Sequence, residues 1–569
     1  MPRRRDRSKG ERSEPPVSFR VACAGIDELD FTEPAVVLRA RTLAEAESAL
    51  AEAERGLADG YWIAGYLNYA LGSAYHALPV RAEWPLLALG LFASPSPRVA
   101  PPSGPERCAP PLPLFPEHAY ERAIGAIVAA IRDGDVYQVN YTVPFRFSFT
   151  GDPYALWSTI AARTSARYQG FVRDEERIAL SWSPELFLAF DGTRITARPM
   201  KGTAPLARSE DLASEKNRAE NLMIVDILRN DLHRLGARVA VDRLLEVERY
   251  PTFATMTSTL RAELDRTPTL ADVFAATFPC ASVTGAPKRA AMERIARLEE
   301  RPREIYCGSI GYLAPERRGW WNVAIRTAQI DGTMASISAG GGILYDSVAA
   351  DERSEVDTKL RFLGDAAAIE LLETLASDAP ERTIALHLDR LQRSAELLHL
   401  PFDSDELHAR IDGARNGASE PLLLRIRLRR DGTIVVRSEA LQRPAAIDIA
   451  LAPTRVRSDD PWLRIKSSYR PAYEEAAAYA AASQAFDAVL CNERGELTEG
   501  SRSTLFVKRN GRLLTPPLSA GVLPGILRAQ LLEAGEAEEA PLAPNDLTEA
   551  EEIYLGNSAR GLMRVRSVR

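Results

Sequence analysis

Between residue 120 and about residue 345, short strand-like runs alternate with amphipathic helices, which restricts the chain to architectures that pack helices on sheets. YERAIGAIVAAIRDGD opens the region as a helix. SEKNRAENLMIVDILRNDLHRL reads as another, with apolar residues at 222, 225, 228 and 232 as its buried face. Before them lies SPSPRVAPPSGPERCAPPLPLFPEH (94–118), a proline-rich loop too long for a tight turn. It follows an N-terminal lobe holding the strand-like YWIAGYLNYAL. Near 350, DERSEVDTKLRFLGDAAAIELLETL reads as one helix running across a change of domain, so no floppy linker is expected. A second mixed unit begins after about residue 370 and closes with strand-like EEIYLGNSARGL. No internal repeat is present, and 569 residues suffice for two to four domains.

Composition excludes several classes. Hydrophobic residues at 46% and charged residues at 26% describe an ordinary globular chain, and a net charge of −7 argues against nucleic-acid binding. No charge-free apolar stretch reaches the ~18 residues that a membrane helix needs. Cysteines 23, 108, 280, 307 and 491 lack CxxC spacing, and with six dispersed histidines they give no zinc pattern. A reduced, cytoplasmic setting follows. The opening MPRRRDRSKGERSEPP lacks the apolar core of a signal peptide and reads as a disordered basic tail over 1–17.

Lysine is scarce. Of 71 basic residues only Lys9, Lys201, Lys216, Lys288, Lys359, Lys466 and Lys508 are lysine; arginine supplies the rest. Arginine stays protonated, whereas a buried lysine can lose its proton and act as a nucleophile. Lys201, in RPMKGTAP, and Lys466, in WLRIKSSYRPAYEEAAAYA, are therefore the first candidates for chemistry.

Around Lys201 several segments read as parts of one anion pocket. SPELF places Glu185 sixteen residues earlier, a separation that neighbouring strands could close. AENLMIVD offers Glu220, and Glu352 and Glu355 stand three apart on one helical face, as carboxylates holding Mg²⁺ would. SAGGGI (338–343) brings bare backbone amides to a ligand, and Arg326 could clamp a carboxylate. Singly each is weak, because a lone helical glutamate is usually solvated and GGG is usually a turn.

Together, GDVYQVNYT, SPELF, RPMKGT, SEKNRAENLMIVDILRNDL, SVTGAPK, IYCGSIGY, AIRTA and GGGILYDS…DERSEVDTK resemble the chorismate-utilising enzymes over about 18–365, and within them the synthase subunit that aminates chorismate. The resemblance implies an α+β fold, a chorismate-binding β-sandwich with surrounding helices, over 18–367. It implies Mg²⁺ on Glu220 and Glu355 with Glu352 in support. Substrate carboxylates would meet Tyr306, Arg326, Ser282 and the Gly340 and Gly342 amides, with Lys288 nearby, and Glu185 would protonate the departing 4-hydroxyl. Gln138 stands where water-adding members carry a lysine base, so ammonia is the implied nucleophile. Lys201 stands where anthranilate synthases carry alanine, matching the aminodeoxychorismate synthase branch, whose lysine is thought to attack ring C2 before ammonia enters at C4. Methionine in PMKGT and Thr255 in FATMTS depart slightly from the family.

Lys466 ends a β-like run before an alanine-rich helix, and GELTEGSRSTLFV, GVLPGILR and LGNSARGL follow it. A lysine, a carboxylate able to face a ring nitrogen, and free amides at a helix start are what pyridoxal phosphate needs. LLETL, LHLDRLQRSAELL, KSSYR, LTEGSRSTLF, GVLPGILR and GNSARG resemble the class IV, branched-chain-aminotransferase-like α/β fold, and within it the aminodeoxychorismate lyases, over 368–569. The resemblance makes Lys466 the lysine that bonds the cofactor and Glu499 the partner of the pyridine nitrogen. Arg390, the Ile526 and Leu527 amides and Ser558 would hold the phosphate. The segment before LLETL is shorter than in the family.

The two halves imply a bifunctional transferase and lyase that makes 4-aminobenzoate for folate. The first would convert chorismate and ammonia to 4-amino-4-deoxychorismate, and the second would eliminate pyruvate. No GxCxG nucleophile motif is present, so ammonia is expected from a separate glutamine amidotransferase subunit. No membrane partner is expected, and a homodimer through the second domain is. Two alternatives remain: a class IV amino-acid transaminase in a secondary-metabolite pathway, or a non-catalytic C-terminal scaffold.

Overall fold

The computed structural model describes residues 17–23, 26–97, 100–102, 107–164, 166–204, 206–249, 254–331, 334–364, 369–415 and 420–569. The expected tail, apart from Val17, lies outside them. The chain divides into two compact units, Met1–Gly364 and Asp365–Arg569.

Two sheets face each other in the first unit. One has nine strands, with Gln138–Phe147, Met334–Ile343 and Thr327–Asp331 side by side. The other has ten, ending on Met200–Ala204, which pairs with Ala254–Glu263. Between the sheets, Phe19 and Phe31 of one meet Tyr66, Phe92 and Ile310 of the other. Helices Leu43–Ala58, Glu215–His233 and Leu270–Thr277 cover the outer face of the ten-stranded sheet. Helices Glu117–Arg132, Pro153–Thr164, Lys288–Leu298 and Ala349–Leu360 cover that of the nine-stranded sheet. The expected sandwich with surrounding helices is present. Met334–Ile343 alternates strictly between half-buried and buried, so alternate side chains address the other sheet and the covering helices.

Three local expectations need correction. In the helix Glu215–His233 the inward row is Asn221, Ile224, Val225, Leu228 and Leu232, while Leu222 is 43% exposed. Residue 222 lies one step, about 100°, off that row. Asn221 takes the buried place because its amide is satisfied: Nδ2 donates to Met256 O at 3.2 Å and Oδ1 accepts from Ser258 Oγ at 2.6 Å. The proline-rich loop is not wholly irregular, since Arg107–Cys108 pairs with Phe149–Thr150 and Leu112–Pro113 pairs with Phe145 and Arg146. The helix expected to cross into the second unit stops at Leu360, and LLETL lies in the strand Leu371–Ala376. Burial alternates along Leu371–Leu375, as on a strand with one face toward a core, and this strand pairs with Leu422–Leu428.

The second unit is mixed α/β. A three-stranded antiparallel sheet carries LLETL, and an eight-stranded sheet has Ala446–Val456 running parallel to both Asp487–Asn492 and Gly561–Val568. Leu372 N donates to Lys466 O at 2.7 Å and Ser468 N to Glu370 O at 2.8 Å, which ties LLETL to the KSS segment.

Candidate active sites

In the first unit a cavity of about 260 Å³ opens between the sheet ends, lined by Glu185, Lys201, Glu220, Ser282, Tyr306, Arg326, Gly340, Gly342, Glu352 and Glu355. Lys201 reaches it through a break in strand register between Lys201 and Thr203, with Gly202 at φ +73°, a conformation suited to glycine. Its Nζ donates to Ser282 O at 3.3 Å. A methyl group on Gly342 would collide with Gln138 Nε2 and lie 3.1 Å from Lys201 Nζ, so the glutamine amide and the lysine amine converge on this glycine. Both amide atoms of Gln138 are buried without a hydrogen-bond partner, as is Glu185 Oε1. Each such group costs ~1–3 kcal/mol unless a ligand or water partners it. Burial pushes the Glu185 carboxyl up to about 7, against the opposing pull of Ser282, Lys201 and the Met200 amide. Arg326 sits at φ +50°, an uncommon conformation for a residue with a side chain, on the cavity wall.

The three carboxylates share the cavity but not one point. Glu352 Oε1 accepts from Ser347 Oγ at 2.6 Å, and Glu355 Oε1 pairs with Lys359 Nζ at 2.7 Å. Lys359 Nζ also donates to Gly340 O at 2.6 Å. Among the described residues no group of three acidic, histidine or cysteine side chains is arranged to hold a metal ion. Lys359, absent from the expected site, belongs to the same scarce lysines as Lys201, and that scarcity could have found it. Lys288 is not brought to the cavity. It opens the helix Lys288–Leu298, and its Nζ turns to Asp231 Oδ2 at 2.7 Å and Thr277 O at 3.0 Å. The buried Asp231 carboxylate, one helix away, claims the charge.

In the second unit a cavity of about 170 Å³ is lined by Lys466, Glu499, Arg390, Ile526, Leu527 and Ser558 among others. Burial lowers the Lys466 amine to about 8, partly offset by Glu373. Burial raises Glu499 to about 7, although its Oε1 accepts from Tyr473 OH at 2.6 Å and Leu523 N at 2.7 Å. Glu373, unforeseen from sequence, organises the floor: Arg390 donates to both its oxygens at 2.7 Å, His387 Nδ1 lies 2.6 Å from Oε2, and His387 Nε2 lies 2.7 Å from Ser558 Oγ. Burial alone would raise Glu373, but Arg390, His387 and Lys466 hold it well below the carboxylate range. It was missed because LLETL read as helix, which hid its place beside Lys466. The amides that open the helix Ile526–Glu533 have no partners within it and suit an anion.

Residues 96–365 match the family described as chorismate binding enzyme, and residues 371–568 match the class IV amino-transferases. The two matches fall on different parts of the chain, each on less than half of it. Aminodeoxychorismate synthase component 1 of Escherichia coli strain K12 is 38% identical over 241 residues, covering 40% of this chain and 53% of that protein. Anthranilate synthase component 1 of Saccharolobus solfataricus is 33% identical over 264 residues, covering 44% and 63%. The chain thus spans little more than half the length of these curated relatives. Anthranilate synthase component I of Streptococcus pneumoniae superposes with a TM-score of 0.52 at 22% identity, over 63% of this chain and 95% of its own, a likeness of fold. The class IV domain implies pyridoxal phosphate, and the lowered lysine, the facing carboxylate and the anion cradle of the second cavity fit that group.

Proposed function

We propose that the chain makes 4-aminobenzoate, a folate precursor, from chorismate and ammonia in two steps. The observation that carries the first step is the convergence of Lys201 Nζ and the unpartnered Gln138 amide on Gly342. Chorismate plus ammonia gives 4-amino-4-deoxychorismate plus water. Lys201 would add to ring C2 as Glu185 protonates the leaving 4-hydroxyl; ammonia held at Gln138 would then enter C4 and release the lysine. A carboxyl near 7 is substantially protonated at neutral pH, which suits a general acid. Arg326, Ser282, Tyr306 and the Gly340 and Gly342 amides would hold the carboxylates.

The carboxylate set of Glu220, Glu352 and Glu355 suits a hard divalent cation in chemistry. Mg²⁺ would be held by Glu220 and Glu355 with Glu352 in support, and would supply positive charge against a substrate carboxylate. Ammonia would come from a separate glutamine amidotransferase, which the component 1 designation of the curated relatives supports.

In the second step 4-amino-4-deoxychorismate loses pyruvate and becomes 4-aminobenzoate. Pyridoxal phosphate, when bound, would supply the electron sink. Lys466, lowered to about 8, would take the C4 proton and return one to the enol-ether methylene. Arg390, Ser558 and the Ile526 and Leu527 amides would hold the phosphate, and Glu499 would face the pyridine nitrogen. A reduced, cytoplasmic setting suits Cys108, Cys280, Cys307 and Cys491, which are free thiols.

The test supplies chorismate and ammonium to the full chain with Mg²⁺ and pyridoxal phosphate and identifies the products. Equal amounts of 4-aminobenzoate and pyruvate are expected; anthranilate as the main product would overturn the C4 assignment.

A further inference from the structure

The second cavity is more cationic than a cofactor phosphate requires. Lys466, Arg390, Arg425, Arg470, Arg502 and Arg560 line it against a single lining carboxylate, Glu499. Three of these cations already face a carboxylate: Arg390 and Lys466 share Glu373, and Arg425 meets Glu439 through bonds of 3.0 and 2.7 Å to Oε1. Arg502 and Arg560 do not. Arg502 Nη2 donates to the Phe486 carbonyl at 2.6 Å and its Cζ lies 5.0 Å from the centre of that ring. Among the described residues neither guanidinium is salt-bridged, although Glu439 and Asp487 act on Arg560 from farther off. Asn557 holds the two segments together, donating from Nδ2 to Arg502 O at 3.2 Å and accepting at Oδ1 from Arg560 N at 3.0 Å. Burial, then the charges of Arg502 and Arg425, depress Arg560 against the weaker opposing pull of Glu439 and Asp487, which is the condition of a cation that a closer anion would relieve.

We propose that Arg502 and Arg560, bridged by Asn557 and flanked by Arg425, bind the ring carboxylate of a dianionic cyclic amine and so select it over amino acids that carry one carboxylate. The proposal rests on the lyase chemistry above. In 4-amino-4-deoxychorismate the ring carboxylate lies para to the amine, so with nitrogen directed at Lys466 it is the group farthest from the lysine. Guanidinium groups recognise carboxylates by paired, charge-assisted hydrogen bonds, which neutral side chains cannot replace. An α-amino acid such as alanine has no group to offer there and leaves two cations unmatched.

The experiment uses the full-length protein loaded with cofactor and supplied with 4-amino-4-deoxychorismate, comparing the parent with Arg502→Gln, Arg560→Gln and Arg560→Lys. Arg427→Gln, at an exposed arginine on the strand that carries Arg425 and itself paired with Glu370, is the control. Each glutamine variant should raise KM about tenfold or more while kcat changes far less, since a hydrogen bond to a charged group is lost in ground and transition state alike. Arg560→Lys should fall between them and the parent. Inhibition supplies a second readout: 4-aminobenzoate should inhibit the parent far better than aniline, and the variants should lose that preference. Parent-like KM and an unchanged preference in both glutamine variants would overturn the assignment while leaving the lyase chemistry standing. A parent that does not turn over the substrate would overturn the lyase chemistry instead. Equal elimination from a monocarboxylate amine by the parent would also overturn the selectivity claim.

Discussion

Lys466 Nζ stands 3.9 Å from Glu373 Oε2, and that same oxygen takes Arg390 Nη2 and faces the ring of His387. One buried carboxylate thus fixes the candidate phosphate arginine and sits beside the candidate reactive amine. Charged groups this deep persist only when matched, and here two donors and a ring share one anion.

Removing that anion leaves buried cations uncompensated. Glu373→Gln should destabilise the second unit by about 3 kcal/mol in urea unfolding, with chorismate consumption retained. Glu373 is held below its unfolded value, so its contribution is complete above the ordinary carboxylate range and is lost as pH falls through the depressed folded value. The stability gap between parent and variant should therefore close in acid; a gap independent of pH would contradict the ion-pair account.

Glu185 titrates the other way. Pushed up to about 7 by burial, it is protonated below that value, so chorismate consumption should decline as pH rises through about 7. Glu185→Gln should lose at least about 10²-fold in rate and with it that alkaline limb. A variant that keeps both rate and limb would remove Glu185 from the chemistry.

Gly342→Ala should block the first step and spare the second. Its methyl group would collide with Gln138 Nε2 and lie 3.1 Å from Lys201 Nζ, displacing the amide and amine that meet there. Parallel assays with chorismate and with 4-amino-4-deoxychorismate read the two steps; equal loss in both would mean general misfolding.

Glu355→Gln should weaken Mg²⁺ dependence and largely stop chorismate consumption, leaving elimination from supplied 4-amino-4-deoxychorismate intact. A titration of rate against Mg²⁺ checks this, and an unchanged midpoint would remove Glu355 from the metal's ligands.

Much of the site was legible because its chemistry needs residue types that the chain otherwise avoids. Lys201 and Lys466 stand out by lysine scarcity, and both line cavities. What stayed hidden depends on contacts between distant segments. Glu373 acquires its neighbours because Leu371–Ala376 is a strand bonded to the segment around Lys466, whereas the apolar stretch AAAIELLETL reads equally well as helix. Lys288 fits a motif near the first cavity, yet Asp231 draws its ammonium away, a pairing across 57 positions that no local pattern displays. Leu222 fits an apolar row that one buried, satisfied asparagine shifts by a single residue.

The division of labour between the two lysines is the central claim, and product analysis of Lys466→Ala tests it most directly. Given chorismate, ammonium and Mg²⁺, this variant should consume chorismate at near the parent rate, accumulate 4-amino-4-deoxychorismate and release no pyruvate; supplying the same reaction to Lys201→Ala should leave chorismate largely unused. Formation of 4-aminobenzoate by Lys466→Ala at near the parent rate would contradict the account.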